Sequence, residues 1–372
     1  MLKKLLKELI NAQSTLECGE LGTAELLKRF LEQHDISAEI DVWDENRANI
    51  TATIKGDGSR DSLFFACHSD VVPAGDAKWQ SQPFLADERD GRIYGRGSCD
   101  MKGGLAAVAV AAVQLKNSGV KFKGDLIICS TAGEETTGLG AKRFTARQKD
   151  SLPKLAGIII PEPTDFKIVN FHRGICWLKL TTKGKTAHGS VPHLGINAIT
   201  SMNTLLNRLN SYKFPDVKTA FSDASTMSIN QISGGKATNV VPDSCSIKID
   251  IRMAAGVTCE RVVDDINEIC AELKSQTPNF DAELEIIRTV PTLETEPACS
   301  FIKKVSDIAE IDEVSSINFS TDGPYFKELN APVIVFGPGK TELAHQPDEY
   351  IDITDINKAV AVYTKIIEDF VV

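Results

Sequence analysis

SLFFACHSD, residues 62–70, is the stretch on which the fold turns. From Ser62 to Cys67 it reads as a short, buried apolar strand, and it ends on an imidazole and a carboxylate, His68 and Asp70. Similar strands are predicted at Ala48 to Ile54, Asp125 to Ser130, Ala156 to Ile160 and Val333 to Phe336. Helical patterns separate them. Leu2, Leu5, Leu6, Leu9 and Ile10 share one helix face, Leu26 to Gln33 continues a second helix, and Lys102 to Leu115 is an Ala- and Val-rich buried helix stopped by Gly119. Strands alternating with helices predict an α/β fold with a mostly parallel sheet covered on both faces.

Near residue 176 the pattern changes. Strand, helix, strand, strand, helix and strand follow at Cys176 to Thr182, Asn197 to Asn210, Ser225 to Gln231, Ser244 to Arg252, Val257 to Leu273 and Ala282 to Arg288. This βαββαβ order is a ferredoxin-like α+β unit. The first style resumes with Val314 to Ser316 and closes with a helix from Asp355 to Phe370. The expected division is one domain of residues 1–176 and 291–372, with residues 177–290 inserted into it.

The 372 residues are 42% hydrophobic and 25% charged, with a formal net charge of -10. No block of Lys and Arg stands out, which argues against a nucleic-acid partner. No apolar run approaches the ~18 residues of a membrane span, and Lys7 and Glu8 interrupt any leader-like core, so a cytoplasmic protein with no membrane partner is expected. The nine cysteines are scattered without CxxC spacing and read as reduced thiols. Cys67 and Cys99 lie beside candidate ligands, which leaves a metal-binding or nucleophilic thiol open.

His68 and Asp70 are two apart on an extended chain and point to one side, so the Asp70 carboxylate can orient the His68 ring. Asp100 lies in GRGSCDMKGG, residues 95–104, where it can cap the following helix or bridge two cations. Glu134 and Glu135 follow a buried strand and a glycine. Adjacent carboxylates there repel unless a positive charge lies beside them. One can bind metal while the other moves protons. Glu162 stands between two prolines in PEPT, and His345 lies in the loop FGPGKTELAHQPDEY. A surface histidine and a turn carboxylate are the bland readings of each piece alone. Five of the groups recur at the carboxyl ends of predicted strands, where open α/β sheets place their ligands. Two imidazoles with several carboxylates suit two divalent ions, Zn(II) first, with Co(II) or Mn(II) as alternatives.

The motifs HSDVVP, GRGSCDMKGG, GEE, PEPT, KGKTAHGSVPHLGINAI, TNVVPD, STDGPYF and GPGKTELAHQPDEY, in this order, resemble the di-zinc amidohydrolase family of acetylornithine deacetylase, succinyl-diaminopimelate desuccinylase, aminoacylase and glutamate-releasing carboxypeptidase. The resemblance implies one zinc on His68, Asp100 and Glu162 and another on Asp100, Glu135 and His345, with Asp100 bridging. It implies Glu134 as general acid/base, Asp70 as the orienter of His68, and a cis peptide after Asp100. It further implies that His188 reaches into a partner subunit's site to steady an oxyanion. Arg173, Asn239, Arg252 and Gly323 would bind substrate, and residues 177–290 would form a lid and homodimer interface. The implied substrate is a small N-acyl amino acid. The tail looks most like that of acetylornithine deacetylases, and Pro324 stands where desuccinylases more often carry an Arg.

Overall fold

Phe64 and Phe65 are neighbours on one strand, and both are fully buried. Phe64 packs on Phe144 and Phe326, while Phe65 packs on Tyr363. A strand can bury two successive side chains only when both sheet faces are covered. The computed structural model describes residues 1–217, 219, 221 and 224–372. Two units make up the chain. The first comprises Met1–Phe171, Glu294–Ser316 and Thr321–Val372, and the second His172–Leu293 and Ile317–Ser320.

In the first unit the strand Ser62–His68 lies between Leu126–Thr131 and Leu155–Ile160, parallel to both, and Val333–Val335 adds parallel to Leu155–Ile160. Antiparallel strands flank this centre: Ala48–Ile54 with Ser37–Val42 on one side and Ile168–His172 on the other. The register sets His68 opposite Thr131 and Val335 opposite Ile160, so the carboxyl ends of the parallel strands form one rim. The helix Gly103–Ser118 buries twelve of its sixteen residues and ends where Gly119 turns left-handed at φ 76°. At its start, a Cβ on Gly104 would collide with the carbonyl oxygen of Pro161, so the glycine lets this helix sit against the end of the Leu155–Ile160 strand. The first helix, Leu2–Asn11, buries the expected five apolar side chains.

The second unit has the element order expected for a ferredoxin-like fold: Gly174–Lys183, Ala198–Leu209, Thr226–Gly234, Ser244–Met253, Cys259–Gln276 and Ala282–Val290. Its four strands are all antiparallel, with Ser244–Met253 and Gly174–Lys183 in the middle. Cys176, Leu178 and Leu180 face the two helices, which bury Met202, Leu205, Val262 and Ile266 against them. The unit starts at His172 rather than 177 because the extended chain passes from Ile168–His172 into Gly174–Lys183 with only Arg173 between. The helix expected from Val257 begins at Cys259, since the Thr258 hydroxyl accepts the backbone N–H of Arg261 and caps it.

Several short elements are not among those expected from sequence: the edge strand Ser37–Val42, the helices Leu139–Gln148 and Ser300–Ala309, and a small sheet of Tyr350–Asp352, Arg92–Tyr94 and Asp87–Arg89. Among the described residues no helix is long and apolar enough to cross a membrane.

Candidate metal centre

The rim of the first unit's parallel strands carries an acidic cluster centred on Asp100. Oδ1 of Asp100 lies 3.1 Å from His68 Nε2, and Glu162 Oε1 lies 3.3 Å from the same nitrogen. Oδ2 of Asp100 lies 3.5 Å from His345 Nε2, which stands 2.9 Å from Glu135. One carboxylate therefore serves two imidazole–carboxylate sets, one through each oxygen. Ligand atoms of His68, Asp100 and Glu135 lie within 4.8 Å of one another.

Each member owes its place to local backbone. His68 is the last residue of its strand and is buried. Glu134 and Glu135 follow the strand Leu126–Thr131 by a turn at Gly133, and Glu162 follows Leu155–Ile160. Asp100 lies in a turn just before Gly103–Ser118, and the Asp100–Met101 peptide is cis. The helix-cap reading of Asp100 does not hold, because the residue preceding the helix is Lys102 and the Asp100 carboxylate faces the histidines. His345 sits on a loop in a left-handed conformation, φ 63°, with its side chain half exposed.

Asp70 faces the His68 ring with two groups. The nearer partner of His68 Nδ1 is the Asp70 backbone carbonyl oxygen at 3.0 Å, while the Asp70 carboxylate is 3.5 Å away. That carboxylate accepts the backbone N–H groups of Glu134 and Glu135 at 3.2 and 3.1 Å. It therefore fixes the acidic turn as well as facing His68. A donor on Nδ1 leaves Nε2 as the lone-pair nitrogen toward the cluster.

The electrostatics favour a cation. Burial raises Glu162 to about 8, with the charge of Asp100 adding to it. Burial likewise pushes Glu134 well up, with Asp322, Glu162 and Glu135 adding to the effect, and raises Glu135 beside Asp100. Burial opposes ionisation of Asp100 too, but the two histidines outweigh it and hold its carboxyl low. Glu162 Oε2 is buried without a hydrogen-bond partner. A donor set of two imidazoles and three carboxyl groups, with an orphaned carboxyl oxygen inside it, fits a pair of divalent ions, whose charge would reverse these upward shifts. The thiols do not fit. Burial pushes Cys67 and Cys99 well above the usual thiol range, so both stay protonated and make poor nucleophiles.

Gly323 is in the first unit, buried at the start of the short helix Gly323–Phe326. The other three residues expected to bind substrate, and His188, lie in the second unit. There the Gly189 backbone N–H donates to the Asn239 carbonyl oxygen at 2.8 Å and His188 bridges to Val240, which brings the His188 and Asn239 loops together. His188 Nδ1 is 2.7 Å from the Ser190 hydroxyl. Arg252 is engaged within its own strand. Its guanidinium pairs with Asp250 on its own strand at 3.0 Å, and Asp250 also accepts from Trp177. Arg173 donates to Asn318 at 3.1 Å.

Sequence reading missed Asp322, one residue before Gly323 in STDGPYF. It is buried, its carboxylate lies 3.4 Å from the Thr131 hydroxyl, and burial together with Asp70 raises it to about 7. Its only signal was its place in a motif already quoted for another residue.

The family model described as Peptidase family M20/M25/M40 matches residues 64–369. An acetylornithine deacetylase of Myxococcus xanthus is 30% identical, covering 99% of this chain and 97% of its own. A protein of Staphylococcus aureus strain N315 named "Probable succinyl-diaminopimelate desuccinylase" is 33% identical, covering 94% of this chain and 92% of its own. The crystal structure of aminopeptidase PepT from Bacillus cereus shares the fold at a TM-score of 0.81 and 21% identity, covering 99% of this chain and 98% of that one.

Proposed function

The chain belongs to peptidase family M20/M25/M40, a family of metal-dependent amidohydrolases, and on that premise we propose that it hydrolyses the amide of a small N-acyl amino acid, N-acetylornithine first. The observation that carries the reading is the division of Asp100 between two imidazole–carboxylate sets. His68, Asp100 and Glu162 would hold one divalent ion, and Asp100, Glu135 and His345 the other, with Zn(II) preferred and Co(II) or Mn(II) as substitutes. When bound, such a pair supplies Lewis acidity for the acyl oxygen and eases ionisation of the attacking water.

The chain's own groups do the rest. Glu134 is the carboxylate of the cluster that no histidine claims among the described residues; it takes the proton from the attacking water and returns it to the departing amine. Asp70 holds the turn that aims Glu134 and faces the His68 ring. The partner subunit's His188 donates to the developing oxyanion. Arg173, Asn239 and Gly323 bind polar groups of the substrate, and Arg252 joins them if it gives up Asp250 for the substrate carboxylate. Residues 177–290 form the lid and the homodimer contact. The exposed Leu194, Ile199 and Ile232 of that stretch support the assignment.

Acetyl is favoured over succinyl because Pro324 is buried and offers no guanidinium for an additional carboxylate. A desuccinylase is the second reading, favoured by the 33% identity to the Staphylococcus protein. Assays with N-acetylornithine, N-succinyl-diaminopimelate, other N-acetyl amino acids and glutamate-terminated dipeptides, with zinc and with cobalt, separate the two. The highest kcat/KM is expected on N-acetylornithine, lost with a chelator and restored by added ion. A preference for the succinyl substrate replaces the first reading with the second. Undiminished hydrolysis by demetallated protein removes both.

A further inference from the structure

Joined to the main chain of the acidic cluster is an ion pair that, among the described residues, makes no hydrogen bond to the side chain of a proposed ligand. Arg96 and Glu349 are both buried, and Arg96 Nη1 donates to Glu349 Oε2 at 2.7 Å. The other oxygen of Glu349 accepts the backbone N–H groups of Cys99 at 2.9 Å and Asp100 at 3.1 Å. The guanidinium reaches the opposite way. It donates to the backbone carbonyl oxygens of His345 at 3.4 Å, Gln346 at 3.3 Å and Pro73 at 3.3 Å. The Trp79 ring covers it, with its centroid 5.0 Å from the guanidinium carbon. So the carboxylate holds the main chain of Asp100 and the guanidinium holds the main chain of His345. These are the two residues whose side chains meet at 3.5 Å.

We propose that Arg96 and Glu349 are positioning residues that set the separation of Asp100 from His345 and thereby build the second of the two metal cradles; this rests on the metal reading above. His68, Glu135 and Glu162 stand at or just beyond the ends of parallel strands, where sheet register places them. His345 has no such support. Its loop is half exposed and left-handed at φ 63°, and its main chain is tied to the Asp100 turn through this pair. A buried ion pair is an inefficient source of stability, since desolvation cancels much of its attraction, but it fixes direction. Groups that orient metal ligands from behind typically account for 10- to 100-fold in metal affinity. The cradle of His68 and Glu162 shares only Asp100 with the pair, so the loss is unequal between the two ions.

The test is a zinc titration of the full chain against a chromophoric chelator, repeated with cobalt to follow the ligand-field spectrum, on the unmodified protein, Arg96→Lys, Glu349→Gln and Asp100→Asn. The unmodified chain is expected to take up two equivalents. Arg96→Lys and Glu349→Gln are expected to keep one within a few-fold and to bind the other about 10- to 100-fold more weakly, with an altered cobalt spectrum. Excess ion then restores their kcat. Two equivalents bound as tightly as in the unmodified chain, or equal weakening of both, overturns the proposal. So does collapse of both variants to unfolded chains, which marks the pair as structural. An unmodified chain that takes up no ion, or Asp100→Asn that takes up two, sinks the metal reading itself and is told apart by those two proteins alone.

Discussion

The two sheets of this molecule solve the same packing problem in opposite ways. Every residue of the strand Ser62–His68 in the first unit is buried, whereas Ser244–Met253 in the second alternates, with Cys245, Ile247, Ile249, Ile251 and Met253 inward and more accessible residues between them. Helices cover both faces of the first sheet, so charged groups have no place along its central parallel strands and collect at their ends. The second sheet turns one face to helices and leaves the other polar, so charges such as Lys179 and Asp250 spread along it. A sheet buried on both sides thus concentrates its chemistry on one rim.

The sharpest way to break that comparison is at the rim itself. Glu134→Gln is expected to lower kcat on the order of 10³-fold while still taking up two ions, as steady-state kinetics and metal analysis would register. Phe64→Ala and Phe65→Ala come next. Adjacent residues of a doubly covered strand should each lose about 3–5 kcal/mol in urea unfolding. A cheap substitution at either one contradicts a sheet packed on both faces. His172 offers a test by pH. Its ring is buried and held down to about 4, chiefly by desolvation. The unfolded chain takes up that proton below about 6.5 and the folded chain does not. Stability from this group is therefore complete above 6.5 and falls by roughly 3 kcal/mol as the pH drops to 4. His172→Gln should flatten that part of the profile when unfolding midpoints at pH 7 and pH 4.5 are compared. In the second sheet the effect should alternate. Leu178→Ala is expected to cost about 2–5 kcal/mol, and its neighbour Lys179→Ala less than about 0.5, although Lys179 reaches Glu285 at 3.2 Å.

Much of the site was readable before the structure, and the reason differs by residue. His68, Glu134, Glu135 and Glu162 follow apolar strands whose periodicity is local, so their common rim could be inferred. His345 could be inferred only through its motif, because its position depends on a loop conformation and on Arg96, not on a strand. Asp322 and the Arg96–Glu349 pair escaped notice because a buried acid and a surface acid look alike in one dimension. Arg252 shows the reverse case: its strand was placed correctly, but its guanidinium lies along the strand to Asp250.

The sequence by itself determined the order of the main strands and helices, the two styles of sheet and the inventory of imidazoles and carboxylates, since all of these follow from periodicity and residue chemistry over short spans. Only the tertiary structure decided that one oxygen of Asp100 faces His68 and the other His345, and that Glu349 grips the main chain of Asp100 from 249 residues away. Such pairings depend on the register of parallel strands and the closure of distant loops, and neither leaves a local mark on the chain.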